Sequence, residues 1–299
     1  MIEGILVEGL IYGIMALGVF ITFRILDFPD LTVDGSFPLG AAIMAALLFK
    51  GVPPFIAIAA AFTGGVLAGL VTAVIHNKLK VPNLLAGILT MTMLYSVNIR
   101  ILGNRANLPL LRVDTILTNV VAAAGNLGLS REWAILIYFF LVLAVLKVLL
   151  DLFFHTDMGL TLGALGGNEQ MVISQGVNPE HLKVIGVSLS NGLVAVSGAF
   201  AAQYLGFADV NLGLGIVVSG LASVMIGEFL LRSNRIGILT LRVILGSILF
   251  RALMYLARYY GYHIKMTPND LKLITGLLII LALILSKKNY FRGRRKKNA

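Results

Sequence analysis

Residues 155–183 read HTDMGLTLGALGGNEQMVISQGVNPEHLK, and they form the longest polar interruption in an otherwise apolar chain. Apolar stretches flank this segment at about 132–151 and 183–202. Each stretch has about 20 residues, the length that a helix needs to cross roughly 30 Å of hydrocarbon. A structured polar segment between two such helices predicts a loop that meets a soluble partner outside the bilayer.

The composition of the whole chain extends this interpretation. Hydrophobic residues make up 58% of the 299 residues and charged residues 13%, too few charges to cover a soluble protein. Further apolar segments lie at about 2–24, 37–49, 55–76, 82–102, 212–231, 237–260 and 271–286. The pattern predicts an all-α, polytopic integral membrane protein with about eight or nine transmembrane helices. The 37–49 segment is short enough to be re-entrant instead of spanning.

The positive charge of the chain is concentrated at its end. The net charge is +10, but seven lysines and arginines lie within 287–299, and the rest of the chain carries +3. A basic cluster directly after an apolar helix is typical of an anchor on the anionic cytoplasmic leaflet, not of a nucleic-acid site. We therefore expect contact with membrane lipid, no nucleic-acid partner and a cytoplasmic C-terminus. The chain divides into a membrane domain, 1–286, and a basic cytoplasmic tail, 287–299.

The positions of the polar segments predict a topology. Alternation of sides from a cytoplasmic C-terminus places 76–80, 155–183 and 232–235 inside the cell, and each of them carries or adjoins basic residues. The 103–131 segment then lies outside. It contains three arginines, which disagrees with the positive-inside rule.

Two short echoes in the sequence suggest two related halves. FPDLTV at 28–33 resembles FADVNL at 207–212, and GILT occurs at both 87–90 and 237–240. The separations, 179 and 150 positions, disagree, so a true repeat needs an extra segment in the first half. Transporters that arose by duplication carry short or broken segments of the two halves beside the substrate path.

The stretch LDFPDLTVDGSFP, residues 26–38, places three carboxylates between two apolar segments. Pro29 and Pro38 prevent one straight helix, and backbone freed at membrane depth is tolerated only beside protein groups or water. We interpret this stretch as a broken helix beside a polar cavity; the alternative is an interfacial loop with solvated carboxylates. For neutral polar groups in other segments, bonding between helices is the alternative to lining a path. The candidate residues for a substrate path are Asp30, Thr32, Asp34, Ser36, Asn83, Thr90, Asn98, Asn191, Asp209, Asn211 and Ser219.

Motifs of catalysis and of nucleotide or metal binding are missing from the sequence. There is no Gly-Lys dipeptide and hence no P-loop, and neither His-Glu-x-x-His nor Gly-x-Ser-x-Gly occurs. The chain has no cysteine, and its four histidines lack the spacing of metal ligands. We therefore expect a protein that is not an enzyme and that has no metal site or cofactor of its own.

The polar segment carries the pattern ALGGNE at 164–169 followed by GVN at 176–178. It resembles the cytoplasmic coupling loop of ABC importer permeases for branched-chain amino acids, ribose and related sugars. In those proteins this pattern forms a short helical element that docks into a cleft of the ATPase subunit. The opening LTVDGSFPLG, residues 31–40, further resembles a bacterial branch described as tryptophan/tyrosine or uncharacterised ABC permeases.

The resemblance implies that 1–286 is the transmembrane permease domain of an ABC importer in the bacterial cytoplasmic membrane, with 155–183 as its coupling loop. The domain would form the translocation path for a small organic solute, with an amino acid, and among these an aromatic one, favoured. The implied partners are ABC ATPase subunits, which bind ATP and magnesium, an extracytoplasmic solute-binding protein and a second permease copy in a homodimer. The alternative is a secondary transporter or channel driven by an ion gradient, with Asp27, Asp30 or Asp34 as the ion site.

The resemblance also implies which residues meet the ATPase. Glycines permit tight turns, polar side chains cap helices or bond to a partner, and Met171, Val172 and Ile173 supply an apolar anchor. The implied coupling residues are Gly159, Ala164, Gly166, Gly167, Asn168, Glu169, Gly176 and Asn178.

Overall fold

Eleven helices make up most of the chain that the computed structural model describes, which is residues 2–111, 113–125, 128–231, 233, 235–263, 273–277 and 280. The helices are α1 (Ile2–Val19), α2 (Val33–Phe49), α3 (Pro54–Leu79), α4 (Asn83–Ile101), α5 (Ile116–Gly125), α6 (Arg131–His155), α7 (Asp157–Gly167), α8 (Glu169–Ser174), α9 (Pro179–Leu205), α10 (Ile216–Leu230) and α11 (Ile236–His263). A π-helical turn, Phe20–Ile25, extends α1, and a 3₁₀ turn, Val210–Gly213, precedes α10. Strands β1 (Asn107–Pro109) and β2 (Phe207–Asp209) pair as an antiparallel ribbon.

Seven helical segments of the described chain are long and apolar enough to cross a membrane. They are α1 with its π-helical turn, α3, α4, α6, α9, α10 with its 3₁₀ turn, and α11. The predicted all-α, polytopic membrane fold is therefore confirmed. The predicted crossing at 271–286 lies outside the described residues apart from 273–277 and 280, and the predicted basic tail at 287–299 lies outside them entirely.

Prolines and capping side chains determine where the helices begin. Pro54 and Pro179 stand in the first turn of α3 and α9, where the missing N–H has no helical partner to lose. The side chain of Asn178 accepts the backbone N–H of Glu180 at 2.9 Å and caps α9. At the other end of α9, Gly206 takes the left-handed conformation with φ +79° and stops the helix.

The connections between helices gather at two ends of the bundle. At the loop end, which contains α7, α8 and the corner between α3 and α4, Nδ2 of Asn77 donates to the carbonyl of Glu180 at 3.0 Å. At the ribbon end, which contains β1, β2 and α5, Oε1 of Gln203 accepts the N–H of Ile116 at 2.9 Å. Segments 76–80 and 155–183 thus share one end and 103–131 lies at the other, as the topology predicted.

The helices fall into two halves that repeat with opposite direction. The helix pair α1 and α2 corresponds to the pair α9 and α10. Gly40 of α2 packs on Ala195 of α9, and Gly220 of α10 packs on Met15 of α1. The two glycines are 180 positions apart in the chain, and so are the two residues that they contact. α1 runs from the ribbon end, where Gly4 faces Tyr204, to the loop end, whereas α9 runs the other way. This arrangement of helices has the form of an inverted repeat, which is what two related halves would produce.

Serine hydroxyls join the central helices of the two halves. Ser190 donates to the carbonyl of Gly18 and Ser197 to the carbonyl of Ile11, both at 2.7 Å. Ser247 of α11 donates to the carbonyl of Gly9 at 3.0 Å. These side chains bond between or across helices and tie α9 and α11 to α1, which agrees with the interhelical interpretation of such groups.

Candidate functional site

Buried polar side chains that are linked by hydrogen bonds surround the break between α1 and α2, residues 26–32. The carboxylate of Asp30 accepts the backbone N–H of Thr32 at 2.8 Å and Nδ2 of Asn191 at 2.7 Å. The hydroxyl of Ser36 donates to Oδ1 of Asn191 at 2.7 Å, and the hydroxyls of Thr32 and Thr72 lie 2.7 Å apart. All five side chains are 0% exposed. We call these five residues the central network.

The position of the central network supports the broken-helix interpretation. Asn191 lies near the middle of α9, so the network is at the middle of the bundle and not at either end. Each oxygen of the Asp30 side chain accepts a hydrogen bond. A fully satisfied buried network fixes one arrangement of the segments it joins. The interfacial-loop alternative, with a solvated carboxylate, is wrong for Asp30, while Asp27 at the loop end is exposed.

Directly after the break, the carboxylate of Asp34 in the first turn of α2 holds the start of α10. Its two oxygens accept the backbone N–H groups of Gly215 at 3.1 Å and Val217 at 2.8 Å. These N–H groups have no partner inside α10, and the helix dipole favours a negative charge at this position. Beside it, Nδ2 of Asn98 in α4 donates to the carbonyl of Gly35 at 3.1 Å. The break therefore connects α4, α9 and α10.

The other predicted path residues lie apart from this centre. Thr90 donates within α4 to the carbonyl of Ala86 at 3.0 Å, and Asn83 lies at the loop end. Asp209 belongs to the ribbon, where its carboxylate accepts Nδ2 of Asn107 at 3.0 Å. The remaining two candidates lie on either side of the start of α10: Asn211 precedes the helix and is exposed, and Ser219 lies in its first turn and is half-buried. Contact of any of these residues with a solute stays a prediction.

Two of the predicted coupling glycines attach α7 to the rest of the chain. A Cβ atom on Gly166 would lie 2.0 Å from the carbonyl oxygen of Ile25, and one on Gly159 would lie 2.3 Å from that of Phe153. A larger residue at position 166 would push α7 away from the end of α1, and one at position 159 would push it away from the end of α6. A Cβ atom on Gly167, by contrast, would meet nothing within 4 Å.

Polar coupling residues shape the loop itself. Asn168 caps α8, since its Oδ1 accepts the N–H of Met171 at 3.1 Å. Glu169 accepts a hydrogen bond from Nζ of Lys183 at 2.9 Å, which links α8 to the start of α9. Gly176 has φ +77° and makes the turn into α9, where Asn178 is the cap. Ala164, the last of the predicted set, is half-buried in α7.

The apolar anchor predicted in the loop divides between the inside and the outside. Val172 is 0% exposed and packs into the chain's own core, whereas Met171 and Ile173 are 52% and 48% exposed. The prediction that all three residues meet a partner is therefore wrong for Val172. Val172 fixes α8 to the core of the chain, and Met171 and Ile173 point outward. Exposed apolar side chains side by side are typical of a contact surface.

A polar cavity of about 360 Å³ separates the loop from the broken segment. Its walls include Asp27 and Phe28 of the break, His76 and Asn83 of the α3–α4 corner, and Lys183 of α9. The ring of Phe28 meets that of His76 edge-on, with centroids 5.1 Å apart. The loop, the corner and the break therefore adjoin one another around this cavity.

Comparison with known proteins bears on the whole chain. Residues 1–283 match the family model of the branched-chain amino acid transport system permease component. The chain belongs to this permease family. A tyrosine transport system permease protein of Clostridioides difficile is 42% identical over 298 residues, which is 100% of this chain and 95% of that protein.

Other permease relatives are more distant. An uncharacterised protein of Rickettsia prowazekii is 33% identical over 276 residues, 92% of this chain and 94% of the relative. The ribose import permease protein of Escherichia coli K12 is 27% identical over 220 residues, 73% of this chain and 67% of the relative. No solved structure matches the chain. This permease is therefore a multi-pass membrane transport protein, of a family that transports small solutes and is not enzymatic.

Sequence reasoning missed residues whose partners are distant in the chain. Thr72 and Asn77 stand on one face of α3, and only the fold reveals that they bond to Thr32 and to the start of α9. Glu228 of α10 accepts bonds from Arg24 at 2.6 Å and from Arg242 at 3.0 Å, and Arg24 is 204 positions away in the chain. Among the residues described, no three His, Asp or Glu side chains are grouped as metal ligands.

Proposed function

We propose that this permease is the membrane subunit of an ABC importer for tyrosine or a related aromatic amino acid. The observation that carries the coupling part is α8, which rests on Val172 and exposes Met171 and Ile173 beside the accessible Gly167. A short amphipathic helix with an apolar outer face fits a groove in a partner protein. The amino-acid part rests on the tyrosine transport relative, which is similar over the full length of this chain.

The coupling mechanism follows the contacts from the loop to the centre. Movement of an ATPase cleft would shift α8 and α7, and α7 meets the end of α1 where Gly166 packs on Ile25. The break at 26–32 begins directly after Ile25, and its far end is held by Asp30 in the central network. Displacement of the loop therefore reaches α9 and α10 through the break, and rocking of the two halves would open the path to alternate sides.

Partner subunits complete this proposal. ATP and magnesium would be bound by two ATPase subunits at the loop end, which would be the cytoplasmic face, with the basic C-terminal tail on the same side. An extracytoplasmic binding protein would deliver the solute at the ribbon end. A second copy of the permease would form the other wall of the path in a homodimer.

The ion-gradient alternative needs a carboxylate that is available to bind and release an ion. Asp30 already accepts two hydrogen bonds in a sealed site, and both oxygens of Asp34 accept N–H groups of α10. An ion at either carboxylate would compete with these donors. Asp27, the third candidate, is exposed at the loop end and lies away from the middle of the bundle. We therefore favour ATP-driven coupling.

The substrate part is tested by uptake. Cells that lack the gene are compared with cells that carry it on a plasmid, with radiolabelled tyrosine supplied below micromolar concentration. We expect uptake to be lost and restored with the gene, to be inhibited by excess phenylalanine or tryptophan, and to be unaffected by ribose. Normal tyrosine uptake in the deletion strain, together with loss of ribose or leucine uptake, would show that the assigned solute is wrong.

A further inference from the structure

An apolar groove on the outside of the bundle lies between α1, α6 and α11. Its volume is about 490 Å³, and its walls include Leu136, Phe140, Ala144, Leu241 and Ile248. All three helices are candidate membrane spans, so the groove opens towards the bilayer and not towards water. An opening of this kind is filled by an apolar occupant, since hydrocarbon is the solvent at this depth.

One end of the groove is charged. Lys147 lines the groove and donates to Asp151 one turn further along α6, while the hydroxyl of Thr240 donates to the other oxygen of Asp151 at 2.6 Å. Asp151 is therefore occupied on both oxygens. A lysine ammonium carries three donors, and the bond to Asp151 uses one of them. The ammonium can thus donate to a further acceptor placed at this end of the groove.

The distances along α6 give the depth of the groove. From Leu136 to Lys147 the helix rises about 16 Å at 1.5 Å per residue. Leu136 lies only about 8 Å from the start of α6 at Arg131, so the groove runs from Lys147 on the loop side past the middle of the roughly 30 Å hydrocarbon layer. From Lys147 to its end at His155 the helix rises about 12 Å more. The bond to Asp151 directs the ammonium towards the loop end, and lysine side chains reach from hydrocarbon to the headgroup region.

We propose that this groove binds one acyl chain of an anionic phospholipid from the leaflet at the loop end, with the lipid phosphate or ester oxygens accepting from Lys147. Arg235, exposed at the start of α11 two residues from Gly237, adds positive charge at the same end, and a Cβ atom on Gly237 would lie 3.5 Å from Asp151. Asp151 balances the charge of one of the two basic groups, so this end keeps one net positive charge, which favours an anionic headgroup over a zwitterionic one. This lipid site is independent of the solute and of the ATPase.

The site is tested by fluorescence, because the chain contains one tryptophan, Trp133. Two single-tryptophan proteins are made in a Trp133→Phe background: Phe140→Trp, inside the groove, and Val145→Trp, which is also exposed to lipid but is not a groove residue. Each full-length protein is reconstituted in phosphatidylcholine vesicles with a minor fraction of phosphatidylglycerol that carries brominated acyl chains. Bromine quenches indole fluorescence on contact.

The expected result is an excess of brominated phosphatidylglycerol at the groove. We expect the brominated lipid to be enriched about fivefold beside the indole of the Phe140→Trp variant, since one positive charge attracts anionic lipid to this extent. Quenching of the Val145→Trp variant should correspond to the bulk fraction of the brominated lipid. Adding Lys147→Gln should abolish the excess and Lys147→Arg should retain it. Ala144→Phe, which fills the groove and leaves the ion pair intact, should also abolish it if Lys147→Gln fails to fold.

Two outcomes overturn the proposal. Equal quenching of the two tryptophan variants by the minor lipid would show that the groove has no preference for the anionic lipid. Absence of quenching at position 140, even in vesicles made only of brominated phosphatidylcholine, would show that protein covers the groove, either a second copy or another part of this chain.

Discussion

Asp30 and Asn191 are the side chains on which the centre of the molecule depends. Asn191 donates to Asp30 and to the carbonyl of Val187, and it accepts from Ser36, so one amide joins the break, α2 and α9. A buried carboxyl oxygen that loses its donor is left unpaired away from water, which costs free energy. The pair therefore has a larger effect on stability than its surface area suggests.

Asn191→Ala should destabilise the permease by about 1–3 kcal/mol, the range for leaving buried polar groups without their hydrogen-bond partner. Thermal unfolding in mild detergent measures this effect. Thr92→Ala is the matched control, because Thr92 is exposed and its hydroxyl bonds only within α4, to Leu89. Similar melting temperatures for the two variants would contradict the proposed importance of the network.

Gly166 and Gly167 are adjacent residues for which the structure predicts opposite effects. Gly166→Ala places a methyl group 2.0 Å from the carbonyl oxygen of Ile25, whereas Gly167→Ala meets nothing within 4 Å. Overpacking of this kind costs about 1–3 kcal/mol. We expect Gly166→Ala to lower both the melting temperature and solute uptake, and Gly167→Ala to leave the melting temperature unchanged. A reversed order in melting temperature would mean that α7 does not pack on α1 as described.

Among the helical elements, α10 has an unusual beginning. It starts inside the bundle, and the carboxylate that caps it comes from α2, 181 positions away in the chain. The cap couples the first half of the repeat to the second at the point where both helices begin. Loss of the cap should loosen the start of α10 without unfolding the helices that pack around it.

Asp34→Ala should remove the acceptor of the Gly215 and Val217 N–H groups. Loss of a cap costs about 1–2 kcal/mol, which corresponds to roughly five- to thirtyfold faster amide exchange at the first turn of α10. Hydrogen–deuterium exchange measured by mass spectrometry compares peptides from 214–222 with peptides from α9. Asp114→Ala, an exposed carboxylate at the ribbon end, is the control. Unchanged exchange at α10 would show that the cap is not formed in the membrane.

The elements near 26–38 could be predicted from the sequence, but their long-range partners could not. Pro29 and the carboxylates beside it in an apolar context indicate a break. The expectation that Pro38 also interrupts the helix is wrong, because Pro38 lies inside α2. Nothing in the local sequence indicates that Asp34 caps α10 or that Asn191 meets Asp30, since these pairs are brought together by helix packing. The eight coupling residues were similarly predicted as one set, while the fold divides them into packing glycines, caps and exposed positions.

At the scale of the whole molecule, the inverted repeat explains which helix pairs approach closely. Gly40 meets the carbonyl of Ala195, and its counterpart Gly220 meets side-chain atoms of Val19 and Met15. The sequence echo between 28–33 and 207–212 marks this repeat correctly. The GILT echo does not mark the repeat. Residues 237–240 lie in α11, which follows α10 as α3 follows α2, whereas residues 87–90 lie in α4.

Gly40→Ala should destabilise the permease more than Gly220→Ala. A methyl group at position 40 would lie 1.8 Å from a backbone oxygen, whereas at position 220 the nearest atom is 2.7 Å away and belongs to a side chain. Side chains yield more easily than backbone, so the first substitution separates two helices and the second requires a local shift. Thermal unfolding of both variants beside Gly163→Ala, whose methyl group would meet nothing within 4 Å, checks this order.

The central claim, that α7 and α8 hold an ATPase, is tested most directly by co-purification. The tagged permease is extracted from its native membrane in mild detergent, and the wild type is compared with a Met171→Glu/Ile173→Glu variant, which charges the exposed side chains of α8 and leaves Val172 in place. Gly167→Ala serves as the matched loop variant. We predict that an ATPase purifies with the wild type and with Gly167→Ala, and that the charged variant loses it while it keeps its melting temperature. Recovery of the same ATPase with the charged variant, or of none with the wild type from cells that express ABC ATPases, would contradict the claim.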